Sequence, residues 1–189
     1  MSSSLRTFIA IEISDHVRRE LAKIQDVLRA ANADVKWTAP ENLHITIKFL
    51  GDTPPEKLAE INAVLDQTAR AFRSFDLEIG ELGAFPSTHA PRIIWAGVTR
   101  QADQVAAIAA MIEAGLAPLG FPKEERAFTA HITLGRARSP HGKPRLSRLL
   151  TETMLPPALT QKAGRLAFFQ SQLTSSGPVY SVIHQSELL

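Results

Sequence analysis

The chain has 189 residues with 21 basic and 19 acidic side chains, a net charge of +2 that is too mild for a general nucleic-acid binder. It has no cysteine, which excludes disulfides, thiolate metal sites and a thiol nucleophile, and fits a reducing cytoplasm. A chain of this length buries roughly 70% of its unfolded surface and needs no covalent staple.

The first six residues carry no apolar leader run, and no stretch reads as the ~18 apolar residues of a membrane span. Thr7 to Ile13 reads as a buried strand, rich in β-branched and aromatic residues. Ser14 is a candidate N-cap for a helix whose apolar residues Val17, Leu21, Ile24 and Leu28 recur at helical spacing. Residues 31–39, with Trp37, read as a turn region. A strand then begins at Leu43 and ends at Gly51-Asp52-Thr53-Pro54-Pro55, whose prolines suit a helix start. Leu58, Ile61, Leu65 and Phe72 mark that helix, and Phe75 to Phe85 another strand. Pro86-Ser87-Thr88-His89-Ala90-Pro91 is a linker. Beyond it a strand from Arg92 to Val98 precedes a helix marked by Val105, Ile108, Ile112 and Leu116. A charged connection, residues 120–129, leads to a strand starting at Ala130. A polar loop and a short helix around Leu146, Leu149 and Leu150 follow. Arg165–Leu173 and Pro178–Leu188 form a terminal hairpin across Thr174-Ser175-Ser176-Gly177.

Two of these strands carry the same motif. His44-Ile45-Thr46 and His131-Ile132-Thr133 lie 87 residues apart. Alternation puts each imidazole beside a hydroxyl on one face, with Ile45, Ile47, Ile132 and Leu134 on the other. The strands at 8–13 and 93–98 are displaced by 85, and those at 77–85 and 165–173 by 88. Three elements in one order at nearly one displacement predict a duplicated unit. Its two lobes, approximately 6–85 and 92–188, form a single domain over 1–189 and bring both motifs to one cleft.

Two histidines in one cleft suit general acid–base catalysis, one taking a proton from an attacking oxygen and one giving a proton to the leaving oxygen. The threonine hydroxyls can donate to non-bridging phosphate oxygens. An arginine would complete the support. Neither motif has a third metal ligand, no His-Glu-x-x-His helix exists, and no phosphate-binding glycine loop is present. The reading is therefore metal-free and cofactor-free. His16, His89, His141 and His184 read as ordinary helix, loop and terminal residues.

Trp37-x4-Asn42-Leu43-His44-Ile45-Thr46-Ile47-Lys48-Phe49-Leu50-Gly51 and Phe128-x2-His131-Ile132-Thr133-Leu134-Gly135-Arg136 resemble the two-histidine phosphoesterase superfamily. The nearest branch is the RNA 2′,3′-cyclic phosphodiesterases, historically called 2′-5′ RNA ligases. The resemblance spans nearly the whole chain. It implies an α/β (α+β) bilobal fold, two mainly antiparallel sheets around a central cleft with helices outside. It implies hydrolysis of a terminal 2′,3′-cyclic phosphate to a 2′-phosphate. Carried over, His44 and His131 are the acid–base pair, Thr46 and Thr133 hold the phosphate, and Arg136 is the phosphate-site arginine. Strict alternation would put Arg136 on the face opposite His131, unless Gly135 admits a bulge. Phe8 reads either as a base-stacking residue or as core, Lys48 as sharing the face of His44, and Arg126 as a substrate contact or a solvated loop residue. Ala130 stands where the family often has proline, which removes no chemical group. The implied partners are RNA ends or small cyclic nucleotides; the lack of a long apolar run predicts no membrane, and a duplicated unit that closes its own cleft predicts no obligatory protein partner and a monomer. The competing readings are a 2′-5′ ligase or phosphodiesterase and a non-catalytic nucleotide-binding module.

Overall fold

In the computed structural model, described for residues 4–175 and 177–189, the chain alternates strands and helices. The hairpin position Ser176 and the first three residues of the N-terminal reading lie outside the described residues. The elements are β1 (Leu5–Glu12), α1 (Asp15–Arg29), β2 (Val35–Trp37), β3 (His44–Thr53), α2 (Leu58–Ala69), β4 (Phe75–Phe85), β5 (Ile93–Arg100), α3 (Ala102–Leu116), β6 (His131–Ala137), α4 (Lys143–Glu152), β7 (Leu159–Ala163), β8 (Arg165–Thr174) and β9 (Gly177–Glu187). Ser14 caps α1 as its side chain predicts, its Oγ accepting from the Val17 amide at 3.3 Å. The buried stripe of α1 is Val17, Leu21, Ile24 and Leu28, the residues at helical spacing.

Two short strands escaped the sequence reading. β2 lies in the stretch read as a turn. Three residues carry too little alternation to register as a strand, and β2 exists because β6 offers it an edge. In β7 the inward positions are Leu159, Gln161 and Ala163. Gln161 hides the apolar pattern, yet it is paired: its amide oxygen accepts from the Ser14 amide and its nitrogen donates to the Glu12 carbonyl.

All strand pairs are antiparallel, in the order β7-β4-β5-β6-β3-β1-β8-β9, with β2 on the same edge of β6 as β3. The two expected sheets are thus halves of one curled sheet, joined at the single pair Ile45–Ile132. Each half mixes early and late strands, because β4 pairs with β5 while β8 pairs with β1. The helices cross as well: α1 and α4 pack together near β4 and β7, and α2 and α3 pack together near β3, β8 and β9. They cover one face, where the main core lies. The other face carries a separate aromatic cluster of Phe8, Ala10, Ala167 and Phe169, with Tyr180 against it.

Residues 102–119, spanning α3, do reach the length and apolarity of a membrane span, with a mean hydropathy of 1.3. Its many alanines raise that value. Val105, Ile108, Ile112 and Leu116 are buried on one side, and Glu113 pairs with Lys48 of β3, which is the pattern of an amphipathic helix laid against a sheet.

Lys48 corrects a sequence expectation. It was to share the face of His44 and Thr46, but β3 bulges: Ala10 pairs with Thr46, and the next residue of β1, Ile9, pairs with Lys48. Ile47 is the extra residue, so parity flips after it. Lys48 joins Ile9 on the helix side, 4% exposed, its Nζ 3.0 Å from Glu113 Oε1 and 2.8 Å from the Pro122 carbonyl. Removing one partner of a buried pair strands the other charge. Lys48→Ala should therefore cost about 2 kcal/mol of stability, less than a fully buried pair because Glu113 keeps some solvent. Urea denaturation measures the loss, while substrate KM should stay within about twofold.

Candidate active site

The site is built where β3 and β6 join the two halves of the sheet. Ile45 and Ile132 are fully buried on the helix side. Alternation then turns His44, Thr46, His131 and Thr133 to the opposite face. Extending the antiparallel register by one residue sets His44 opposite Thr133 and Thr46 opposite His131. The four side chains form two imidazole–hydroxyl pairs, diagonal to one another.

Both imidazoles are held in the same way. His44 Nδ1 lies 2.7 Å from the Asn42 carbonyl oxygen, and His131 Nδ1 lies 2.7 Å from the Thr129 carbonyl oxygen. A carbonyl only accepts, so each Nδ1 donates, leaving each Nε2 as the ring nitrogen for chemistry. Phe8 stacks on His44 with ring centroids 4.8 Å apart, and Tyr180 meets the same imidazole edge-on at 5.5 Å. His131 has Phe85 edge-on at 5.2 Å, with Trp95 behind at 6.3 Å. The structure therefore gives Phe8 a supporting position. It is 3% exposed and also stacks on Phe169, so its ring orients His44.

These surroundings lower both histidine pKa values. Burial pushes His44 down, the Asn42 carbonyl opposes this by favouring the protonated ring, and the charge of His131 lowers it further. Burial likewise lowers His131, against the pull of the Thr129 carbonyl, and the Arg136 guanidinium adds to the lowering. Burial raises the Tyr180 phenol, with Arg136 and Arg6 acting against it. Tyr180 thus stays a neutral hydroxyl at the cleft wall.

The cleft has a volume of about 370 Å³ on the Glu12 side of His44 and about 530 Å³ on the Thr133 side. His44, Thr46, Thr133, Arg136 and Phe8 line the larger part. Arg136 reaches it through a bulge in β6 matching the one in β3. Trp95 pairs with Thr133 and Ile94 with Gly135, so Leu134 is the extra residue. Gly135 then faces the helices and Arg136 the cleft. Glycine is needed there: a Cβ would lie 2.8 Å from Val35 Cγ1 and 3.0 Å from the Trp37 ring. The bulge is supported from below, where Gln25 of α1 donates to the Leu134 and Thr38 carbonyls, each at 2.8 Å. Arg126 is exposed in the connection before β6.

Sequence reasoning missed Arg6, Lys36, Phe49 and Tyr180, all cleft-lining residues. Phe49 is 45% exposed, turned into the cleft by the Ile47 bulge, with the Arg6 guanidinium 4.7 Å from its ring centre. Strict alternation hides Phe49. Lys36 was hidden in an apparent turn. Tyr180 is the chain's single tyrosine, and nothing local to it in the sequence assigns it to a site. Among the described residues, no three histidine or carboxylate side chains gather where a metal ion could be held.

The sequence model of the LigT like Phosphoesterase family matches residues 11–95 and again 97–180. The chain is 31% identical to the RNA 2′,3′-cyclic phosphodiesterase of Methanothermobacter thermautotrophicus, covering 94% of this chain and 95% of that protein. It is 30% identical to the RNA 2′,3′-cyclic phosphodiesterase of Thermotoga maritima, covering 97% and 95%. The crystal structure of TT0787 of Thermus thermophilus superposes with a TM-score of 0.81 at 27% identity, covering 97% and 98% of the two chains.

The lowered histidine pKa values have a consequence for stability. As pH falls through about 6.5, the unfolded chain takes up protons at these two positions before the folded chain does. Both residues therefore subtract stability below about pH 6.5, and the loss levels off once the pH is under the folded values. A His44→Gln/His131→Gln protein should show a flatter dependence of urea midpoint on pH between about 7.5 and 5 than the parent. An unchanged slope would contradict this assignment.

Proposed function

The chain belongs to the LigT like Phosphoesterase family, and from that premise we propose that it is an RNA 2′,3′-cyclic phosphodiesterase, opening a terminal cyclic phosphate to a 2′-phosphate. The observation that carries the reading is the paired placement of two tautomer-fixed histidines, each beside a threonine across the Ile45–Ile132 join.

Water attacks the cyclic phosphorus. One motif histidine, neutral, takes the water proton at Nε2. The P–O3′ bond breaks, and the other histidine, protonated, gives its Nε2 proton to the departing 3′-oxygen. The hydroxyls of Thr46 and Thr133 and the guanidinium of Arg136 bind the non-bridging oxygens and support the charge that builds there. Each Nδ1–H bond to a carbonyl holds its ring in the orientation this requires and stabilises the protonated form. The exposed face of Phe49 beside Arg6 suits a base.

The strand order supports a duplicated unit in which the third strand is exchanged. β4 lies beside β5 and β8 beside β1, so 6–85 and 92–188 are repeats in sequence whose strands interleave in space. With both motifs on one chain, the cleft needs no partner, and the enzyme acts as a monomer. The lack of cysteine supports a place in the cytoplasm.

RNA ending in a 2′,3′-cyclic phosphate tests the reaction. His44→Ala and His131→Ala should each lower turnover about 10²–10⁴-fold without loss of fold, and EDTA should leave the rate unchanged. Near parental turnover by both variants overturns the mechanism, and a faster reaction on 2′-5′-linked oligonucleotides overturns the substrate. Because both histidine pKa values are lowered in the free protein, the bell-shaped profile of kcat/KM should centre below about pH 6.5.

A further inference from the structure

Beyond Ile45–Ile132 the strands β3 and β6 part, and β2 fills the opening along the freed edge of β6. This register puts Lys36 directly opposite Arg136. Both are exposed and both line the cleft. Like charges at directly paired positions destabilise a sheet. Among the described residues, neither Lys36 nor Arg136 makes an ion pair. Arg6 adds a third cation to the lining, against the single carboxylate of Glu41. The repulsion between Lys36 and Arg136 is thus left uncompensated in the free protein, at a place where an anion would relieve it.

We infer that Lys36 and Arg136 form a second anion site, which takes the 3′,5′-phosphodiester immediately upstream of the cyclic phosphate. The inference rests on the cyclic-phosphodiesterase reading. The hydroxyls of Thr46 and Thr133 mark where the cyclic phosphate sits. Arg136 is the next cleft-facing residue after Thr133, about 7–10 Å further along the bulged strand. One nucleotide of RNA spans such a step. Arg136 then borders both phosphates, while Lys36, to its side over the gap between the halves, contacts only the upstream one. This makes the enzyme a reader of RNA ends in preference to free cyclic mononucleotides, and Lys36 the residue that sets the preference.

The test compares a dinucleotide bearing a terminal 2′,3′-cyclic phosphate with the corresponding mononucleotide 2′,3′-cyclic phosphate. The parent protein should favour the dinucleotide. Lys36→Gln should lower kcat/KM on the dinucleotide about tenfold, mostly through KM, and on the mononucleotide less than twofold. Its slope of log KM against log salt on the dinucleotide should shrink by about 0.7. Lys36→Arg should keep the preference. Replacing the internal linkage by an uncharged methylphosphonate should reduce the parent at least to the Lys36→Gln level, because Arg136 then loses its share of that charge as well. Because Lys36 is exposed and faces a like charge, Lys36→Gln should melt at or above the parental temperature, which separates a lost contact from a lost fold. Equal losses on both substrates, or no loss on either, overturn the second site while leaving the reaction standing. If the parent turns over neither substrate, the reaction itself fails. Equilibrium binding of the dinucleotide against its methylphosphonate analogue then decides the second site independently, equal affinities overturning it.

Discussion

One backbone pair, Ile45 with Ile132, holds the arrangement together. Both side chains are fully buried under the helices, so neither strand can rotate there without exposing an isoleucine. A slip of one residue in either strand would turn that strand's two motif side chains into the core. The hydrophobic requirement on one face thus sets the polar geometry on the other. Because the contact is a single pair, β6 offers its edge to β2 beyond it, and β2 brings Lys36 and Trp37 to the cleft beside Thr133 and Arg136.

The second constraint is the pair of bulges, at Ile47 and Leu134. Each follows a threonine and reverses the strand's parity. The first sends Lys48 down and Phe49 up; the second sends Gly135 down and Arg136 up. Each is tied from the helix side, by Lys48 with Glu113 in one half and by Gln25 in the other. The ties differ in chemistry because the spaces beneath differ. Below Gly135 the strand β2 comes close, leaving no room for a side chain, whereas below Lys48 a long side chain reaches α3 and the Pro122 carbonyl. Buried polar groups in a core must be paired, and here the pairing also sets which cations and aromatics reach the cleft.

The histidine environment follows from the same layout. Each imidazole is packed by aromatic rings from its own half, Phe8 and Tyr180 for one and Phe85 and Trp95 for the other. Packing lowers the pKa, and the carbonyl bond at Nδ1 opposes it. The two effects leave each ring rigid, partly shielded and able to exchange a proton at Nε2. Asn42 links this to the terminal hairpin, since its side chain donates to the Pro178 carbonyl at 2.9 Å. The hairpin that carries Tyr180 is thereby fastened beside His44.

The sequence by itself determined the recurring elements and the motif. Long apolar stripes such as Val17 to Leu28, and the alternation around Ile45 and Ile132, are local patterns that a chain must bury in only one way. The recurrence of His-x-Thr at one displacement made a shared cleft legible. Tertiary structure alone decided what lay beyond strict alternation. Bulges depend on the neighbouring strand's register, which no local pattern encodes, so Lys48, Phe49 and Arg136 could not be assigned to faces from spacing. β2 needed the edge of β6 to become a strand, and with it Lys36 came into the cleft. Exchange of β4 and β8 between the halves is a choice among long-range pairings, made by which edges and helices are left to cover. Local periodicity records which side of an element is apolar; the partner that side meets is settled only when the sheet closes.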